Sequence, residues 1–472
     1  LLLTIDIGTS VFKSALWDFH GNRLSSAEVP LLINSRGARH EANSAQWLRA
    51  FEICAANLGN LSKVQAIVLS GNGPSLIPVF DEPELRRDNL LLNAAPARMW
   101  LDRRAAREAG EVSTVAGSFA DASFFLPKAL FIKNNEPELY GRTKYFLGCP
   151  EFLAFALCGQ ARFVFPSKGF EGWFWTEEIL KRLKLDAAKF PPFIRPGETF
   201  GELLPAVASQ FGFPQKIPVI SGGPDFFAAI VGAGVRQPSQ ACDRTGTSEG
   251  INVCTENQIN DRRLFSCGHP VEPYWNLSGV ISTTGKAVEW GCKLFGLESL
   301  GEFSALAYNS EPGAGGLTFL PYLEGERSPV WDPAARSVWR GISLSSGRAE
   351  FARSVLEGIC FAVRDVISVM KEAGADVKEL RLTGGAAGNS VLNQIKADIT
   401  GIPVLSLEQK EAELLGLAII GSCALGRFES YSQAAGALVR VERTYEPDLK
   451  KAAFYNELFQ KYRESYQKLY TP

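Results

Sequence analysis

The sequence predicts an α/β protein built from two related halves, and three observations carry this. Short runs rich in Val, Ile and Leu alternate with longer stretches of helical apolar spacing. A hairpin with a Gly-Thr-Ser turn occurs twice, at Gly8-Thr9-Ser10 and at Gly246-Thr247-Ser248. A strand, a Gly-Gly pair and a helix follow one another at 217–235 and again at 380–401.

Taken in order, residues 2–7 read as a strand and 12–17 as its hairpin partner. The opening run lacks a basic n-region and is read as this strand, not as a secretory signal. The stretch 44–58 is helical by spacing. Residues 64–69 form a short strand that runs into the loop Ser70-Gly71-Asn72-Gly73-Pro74. In 217–235 and 380–401 the Gly-Gly pairs are read as loops between strand and helix. The segment 242–254 echoes the opening hairpin. The apolar run 414–426 is too short to span a bilayer and reads as a buried helix. The tail 447–470 is a helix with Tyr455, Phe459, Tyr462, Tyr466 and Leu469 on one stripe, read as packing against the body of the chain.

The chain has 472 residues, enough for at least two cores. The duplication puts a boundary near Arg236, giving an N-terminal domain at 1–236 and a C-terminal domain at 237–472 that face one cleft. A net charge of −2 gives no electrostatic footprint for nucleic acid or an anionic membrane. Nine scattered Cys without a CxxC pair read as reduced thiols in a cytoplasmic protein. Three His, with no HExxH, argue against a zinc enzyme.

The chemistry begins at Asp6, a carboxylate inside an apolar strand. A strand-end carboxylate beside backbone amides and hydroxyls suits hydrated Mg²⁺ next to phosphate, since Mg²⁺ keeps several waters and takes one or two carboxylates. Gly8 allows close approach, Thr9 and Ser10 can donate to phosphate oxygens, and Lys13 can add a point charge. An ordinary hairpin with a polar turn is the alternative. The second turn, Thr245-Gly246-Thr247, can grip a polyphosphate in the same way, and the Gly384-Gly385 loop offers a flat backbone surface to a nucleoside. Neither a Walker A loop nor a G-x-G-x-x-G is present, and the TTGKAV stretch at Lys286 is not a P-loop. Asp225, just past a strand end, can accept the proton of a hydroxyl that attacks a γ-phosphate. It can equally be a helix N-cap.

Together DIGTS, MWLDRR, FLPKALFIKNNEP, SGGPDFFAAIVGAG, RTGTS, FLPYLEGERSPVWDP, RGISLSSGRAEFARSVLEGI, LTGGAAGNSVLNQIKADITG and ELLGLAIIGSCALG, in this order, make the chain resemble the FGGY carbohydrate kinases over nearly its whole length, xylulose kinases in particular. The resemblance implies a duplicated actin/hexokinase/Hsp70-type (ribonuclease H-like) α/β fold and ATP with Mg²⁺. It implies Asp6 at the metal and Asp225 as catalytic base. Gly8, Thr9, Ser10, Lys13, Thr245, Gly246 and Thr247 would surround the phosphates, and Gly384, Gly385, Ala386 and Asn389 the adenosine. Trp100, Asp102 and Phe226 would lie near the sugar, beside the loop Asn72-Gly73-Pro74. Lys128 and Gly325-Glu326-Arg327 would have structural or hinge roles. A small sugar or polyol substrate follows, and a homodimer is an expectation of the resemblance alone.

Three departures fall where the family contacts its sugar. Asn72-Gly73-Pro74-Ser75 stands for the usual Gln-Met-His-Gly, Phe226 for a polar residue, and Ser167-Lys168-Gly169 for Ser-Asp-Ala. The Arg-Glu pair of glycerol kinases is also missing. A more apolar acceptor pocket is expected. The alternatives are a catalytically weak or inactive regulator with the same fold, and an actin- or chaperone-like ATPase. Retained Asp6 and Asp225 weigh against the regulator, and Asp225 with the Trp100–Arg104 motif against the ATPase.

Overall fold

A computed structural model describes residues 1–86 and 89–470. The chain divides into two units, one of residues 1–232 with 413–438, the other of 233–412 with 439–472.

The first unit is built on a six-stranded sheet. From one edge its strands are Arg23–Pro30, Val11–Trp17, Leu2–Ile7, Ala66–Gly71, Pro218–Pro224 and Thr199–Glu202. The three central strands, Leu2–Ile7, Ala66–Gly71 and Pro218–Pro224, are parallel, and the flanking pairs are antiparallel. Leu2–Ile7 and Ala66–Gly71 are buried along their whole length, as strands covered on both faces require. Helices Ala45–Asn57 and Cys149–Cys158 supply Trp47, Phe51, Phe152 and Phe155 to this core.

The second unit has a seven-stranded sheet in the order Phe265–Gly268, Trp275–Ile281, Glu249–Thr255, Gln240–Thr245, Glu379–Gly384, Val404–Leu407 and Val441–Tyr445. Beyond its extra first strand, the succession of directions repeats that of the first sheet. The 25-residue helix Arg348–Glu372 crosses its core. The expected duplication is therefore present, but its register differs from the sequence reading. Glu379–Gly384 occupies the place of Ala66–Gly71, whereas Pro218–Pro224 corresponds to Val404–Leu407. The two Gly-Gly units are thus not equivalent positions. Nor is Gly222-Gly223 a loop: both residues lie in the strand, at a register irregularity between Ser221 and Pro224 where Gly223 has φ +77°.

The first unit's opening segment ends at Gly232, and neither unit is contiguous in sequence. Residues 413–438 return to the first unit because the helix Ala412–Ala424 is apolar around its whole circumference and packs there. Gly416 makes this possible. A Cβ on it would lie 1.9 Å from the carbonyl oxygen of Ala228, in the helix Asp225–Gly232. The tail helix Leu449–Tyr470 buries Tyr455, Phe459 and Tyr462 as expected, and the Tyr462 hydroxyl lies 3.1 Å from that of Tyr322. Leu469 departs from the expected stripe, being 54% exposed in the last turn of the helix.

The second hairpin is braced from beneath. Lys396, on helix Ser390–Thr400, is buried and donates to both Asp243 and Glu249, one on each strand of the Gly246 hairpin. Burial, with the neighbouring Asp243 carboxylate, pushes the Glu249 carboxyl up, so this carboxylate depends on the ammonium.

Two stability experiments follow. Gly416→Ala should lower the unfolding free energy by about 1–3 kcal/mol, because the added methyl meets backbone. Gly110→Ala, at a helix position with open space, should instead raise stability by about 0.5–1 kcal/mol; equal shifts in urea melts would refute the close packing. Lys396→Met should destabilise by about 3–5 kcal/mol by stranding two buried carboxylates. Adding Asp243→Asn and Glu249→Gln should restore much of that loss, read by the same melts.

Candidate active site

In the first unit, register alone gathers the carboxylates. Asp6 pairs across with Ser70, Ile7 with Gly71, and Gly71 with Pro224, the residue before Asp225. Asp6 and Asp225 therefore sit at the carboxyl ends of two parallel strands with Ala66–Gly71 between them, where open α/β sheets bind ligands. Both charges act on the buried Cys149 thiol, which burial, then Glu151, Asp6 and Asp225 push well up. Asp6 is 6% exposed, and its Oδ1 accepts from the Ser70 hydroxyl at 2.7 Å. Lys13 lies opposite Asp6 on the hairpin. Asp225 is the first residue inside its helix, and its Oδ1 accepts from the Phe226 amide at 2.7 Å.

The first turn is tight: the Gly8 amide donates to the Val11 carbonyl at 3.0 Å, and a Cβ on Gly8 would come within 2.8 Å of the same oxygen. Thr9 is half-buried and accepts from the Trp100 indole at 3.0 Å, so the turn meets the segment expected at the sugar. Ser10 is exposed.

Several expected substrate residues are occupied with the fold itself. Asn72 is buried. Its amide donates to the carbonyls of Ile7 and Gly8 at 3.0 and 3.1 Å, and its carbonyl accepts from Ser75 at 2.7 Å. It clamps the end of the strand that carries Asp6. Asp102 is 2% exposed; Arg104 and the His40 amide hold its carboxylate, and against the opposing effect of burial they keep it below the usual carboxylate range. Pro74 is buried and Gly73 exposed. Lys128, also buried, donates to the carbonyls of Pro74 and Met99 at 2.7 and 2.8 Å, tying the Asn72–Pro74 loop to the Trp100 segment. Its expected structural role has this physical form.

In the second unit, Thr245 and Gly384 are partners on neighbouring parallel strands, so the second turn and the Gly-Gly segment meet. Gly384 has φ +85°, and a Cβ there would lie 2.0 Å from the Thr245 carbonyl oxygen. Thr245 is itself buried and donates to the Thr383 carbonyl at 2.7 Å. Gly246 and Thr247 are exposed, and the Gly246 amide donates to the Ser248 carbonyl at 3.0 Å.

The helix Gly285–Phe295 starts against this turn: the Gly285 amide donates to the Gly246 carbonyl at 3.0 Å, and the Thr284 amide to that of Thr247 at 3.2 Å. The TTGK stretch, which is not a P-loop, thus closes onto the Gly246-Thr247 turn. The amide of Ser282, just before it, donates to Glu326 at 2.7 Å, which gives the Gly325-Glu326-Arg327 stretch its bracing function. Burial pushes the Glu326 carboxyl up to about 7.

Beside the Gly-Gly segment lies a cavity of about 740 Å³, within the range of small-molecule sites. Gly385 and Asn389 line it, with Gly388, Ser390 and Val391, and Gly384 and Ala386 do not. Its other wall, Leu300, Gly301, Ser304, Ala305, Tyr308 and Asn309, went unread in the sequence; its only signal is small residues on one face of a helix. Asn389 caps helix Ser390–Thr400 by accepting from the Leu392 amide at 3.2 Å and donates to Ser304 at 2.7 Å, fixing both walls.

Among the described residues no group of three or more His, Cys, Asp or Glu can cage a metal. The single buried carboxylate of Asp6, beside a hydroxyl and a turn, instead fits Mg²⁺ that keeps its waters and shares phosphate oxygens. No described helix is long and apolar enough to cross a membrane.

Known proteins share this organisation. The profile of the FGGY family of carbohydrate kinases, N-terminal domain, matches residues 1–232, and that of the C-terminal domain matches 244–425. The xylulose kinase of Staphylococcus epidermidis is 27% identical over 100% of this chain and 96% of its own. That of Bacillus subtilis is 27% identical over 98% and 96%. A ligand-bound xylulose kinase structure from Lactobacillus acidophilus superimposes with a TM-score of 0.86 at 23% identity, covering 100% of this chain and 99% of the other, a likeness of fold. With both domain profiles matched in order around these two sets of site residues, the chain belongs to the FGGY family of carbohydrate kinases.

Proposed function

We propose that this kinase transfers the γ-phosphoryl group of ATP to a hydroxyl of a ketose such as xylulose or ribulose, or of a polyol, with Asp225 as general base. The single observation that carries the reading is the register that sets Asp225 and Asp6 at the same end of the sheet, on parallel strands either side of Ala66–Gly71. The xylulose kinases among the relatives support the ketose class.

The roles divide by chemistry. The cavity beside Gly385 and Asn389 suits the adenosine, and the exposed Gly246-Thr247 turn can donate to phosphate oxygens. Mg²⁺, when bound, neutralises charge on the β- and γ-phosphates. Asp6 would hold it directly or through water, with Ser70 fixing the carboxylate. Thr9 and Ser10 add donors, and Lys13 adds positive charge. Asp225 takes the proton of the acceptor hydroxyl as that oxygen bonds to phosphorus and ADP leaves. Lys128 acts at one remove, by setting the Pro74 and Trp100 segments. A regulator without catalysis would have no use for two carboxylates at one sheet end.

Asp225→Asn tests the assignment. It keeps the size of the side chain and removes the base, so it should fold normally, bind Mg·ATP about as well as the parent and lose on the order of 10²–10⁴ in sugar-dependent ADP formation. Asp6→Asn should behave otherwise: its nucleotide binding, followed by calorimetry with and without Mg²⁺, should lose the metal dependence. An Asp225→Asn protein that is unstable yet keeps most of its specific activity would make Asp225 a structural residue.

A further inference from the structure

The TTGK stretch places a cation that the chemistry above leaves unused. Lys286 stands in the first turn of the helix Gly285–Phe295, where the positive end of the helix macrodipole disfavours a cation. That turn contains no acidic residue to offset it. The offset comes from another segment: the Lys286 ammonium lies 3.0 Å from Oε2 of Glu324. The two side chains are 45% and 64% exposed, so water screens the pair and its partners exchange at little cost. Both residues are anchored beside the Gly246-Thr247 turn. The Lys286 amide donates to the Thr247 carbonyl at 3.4 Å, next to the Thr284 and Gly285 amides that also donate to this turn. Glu324 lies two residues before Glu326, whose carboxylate accepts from the Ser282 amide.

We propose that Lys286 is a phosphate-binding residue and that Glu324 is its resting counter-ion, displaced when the phosphates of ATP reach the Gly246-Thr247 turn; the proposal rests on the kinase reading and adds a residue to its nucleotide site. Helix side chains lean toward the helix N-terminus, which here is the turn itself. The amides of Thr284, Gly285 and Lys286 are spent on the turn's carbonyls, and that of Gly246 on Ser248. Positive charge at this edge of the turn therefore has to come from a side chain. Lysine suits the task, being a compact point charge on a flexible stem. A polyphosphate carries more negative charge than one carboxylate and offers strong charge-assisted bonds, so it takes the ammonium from Glu324.

Calorimetry on the full chain, with a non-hydrolysable Mg·ATP analogue, tests this. Lys286→Met should weaken binding roughly tenfold or more, whereas Lys286→Arg, which keeps the charge, should stay within about threefold of the parent. Glu324→Gln should act in the opposite sense and tighten binding roughly twofold to fivefold by releasing the ammonium. In the Lys286→Met background Glu324→Gln should have no effect. Both positions are exposed, so the variants should melt like the parent. Unchanged binding in Lys286→Met overturns the proposal. So does a Glu324→Gln protein that binds no more tightly than the parent, since the pair would then only brace the helix. Either result leaves the kinase reading intact. An unaltered protein that binds no Mg·ATP analogue overturns the kinase reading itself.

Discussion

The register of three parallel strands is the constraint on which the rest of the first unit depends. Leu2–Ile7, Ala66–Gly71 and Pro218–Pro224 pair so that Asp6, Ser70 and Asp225 come to one end of the sheet. A slip of one residue would turn Asp6 to the other face and Ile5 or Ile7 to this one. The register is held where it matters. Both faces of the strands are buried, and Asn72 bonds the carbonyls of Ile7 and Gly8 where the central strands end. Polar residues that look like ligands in the sequence are thus partly the fasteners of the site.

The second unit solves the same problem differently. Its hairpin turn is fixed from three sides: Gly384 packs against the Thr245 carbonyl, the helix at Gly285 donates to the turn, and Lys396 joins the two strands below. None of these groups needs to touch a phosphate. Together they leave Gly246 and Thr247 exposed on a support that has little freedom, the condition under which donors stabilise transferred charge without reorganising.

What was legible in the sequence was local. The Gly-Thr-Ser turns, the strands beside them and the helix opened by Asp225 follow from short-range rules, and so did the duplication. The non-local facts were not legible. Glycines such as Gly222-Gly223 mark both loops and irregular strands, and only the neighbouring strand decides between them. The helix Ala412–Ala424 is apolar on every side and so carries no sign of which core it joins. Asn72, Thr245 and Asp102 have side chains suited to ligands, and whether these face a substrate or a backbone carbonyl depends on residues far along the chain. The wall Leu300–Asn309 of the large cavity has too little chemistry of its own to announce itself.

The central claim, that Asp225 receives the proton of the attacking hydroxyl, is tested most directly by a crystal structure with an acceptor and a non-hydrolysable Mg·ATP analogue. The account predicts the acceptor oxygen about 2.6–3.2 Å from an Asp225 carboxylate oxygen. An acceptor bound elsewhere, with that carboxylate still turned onto the Phe226 amide, would contradict it.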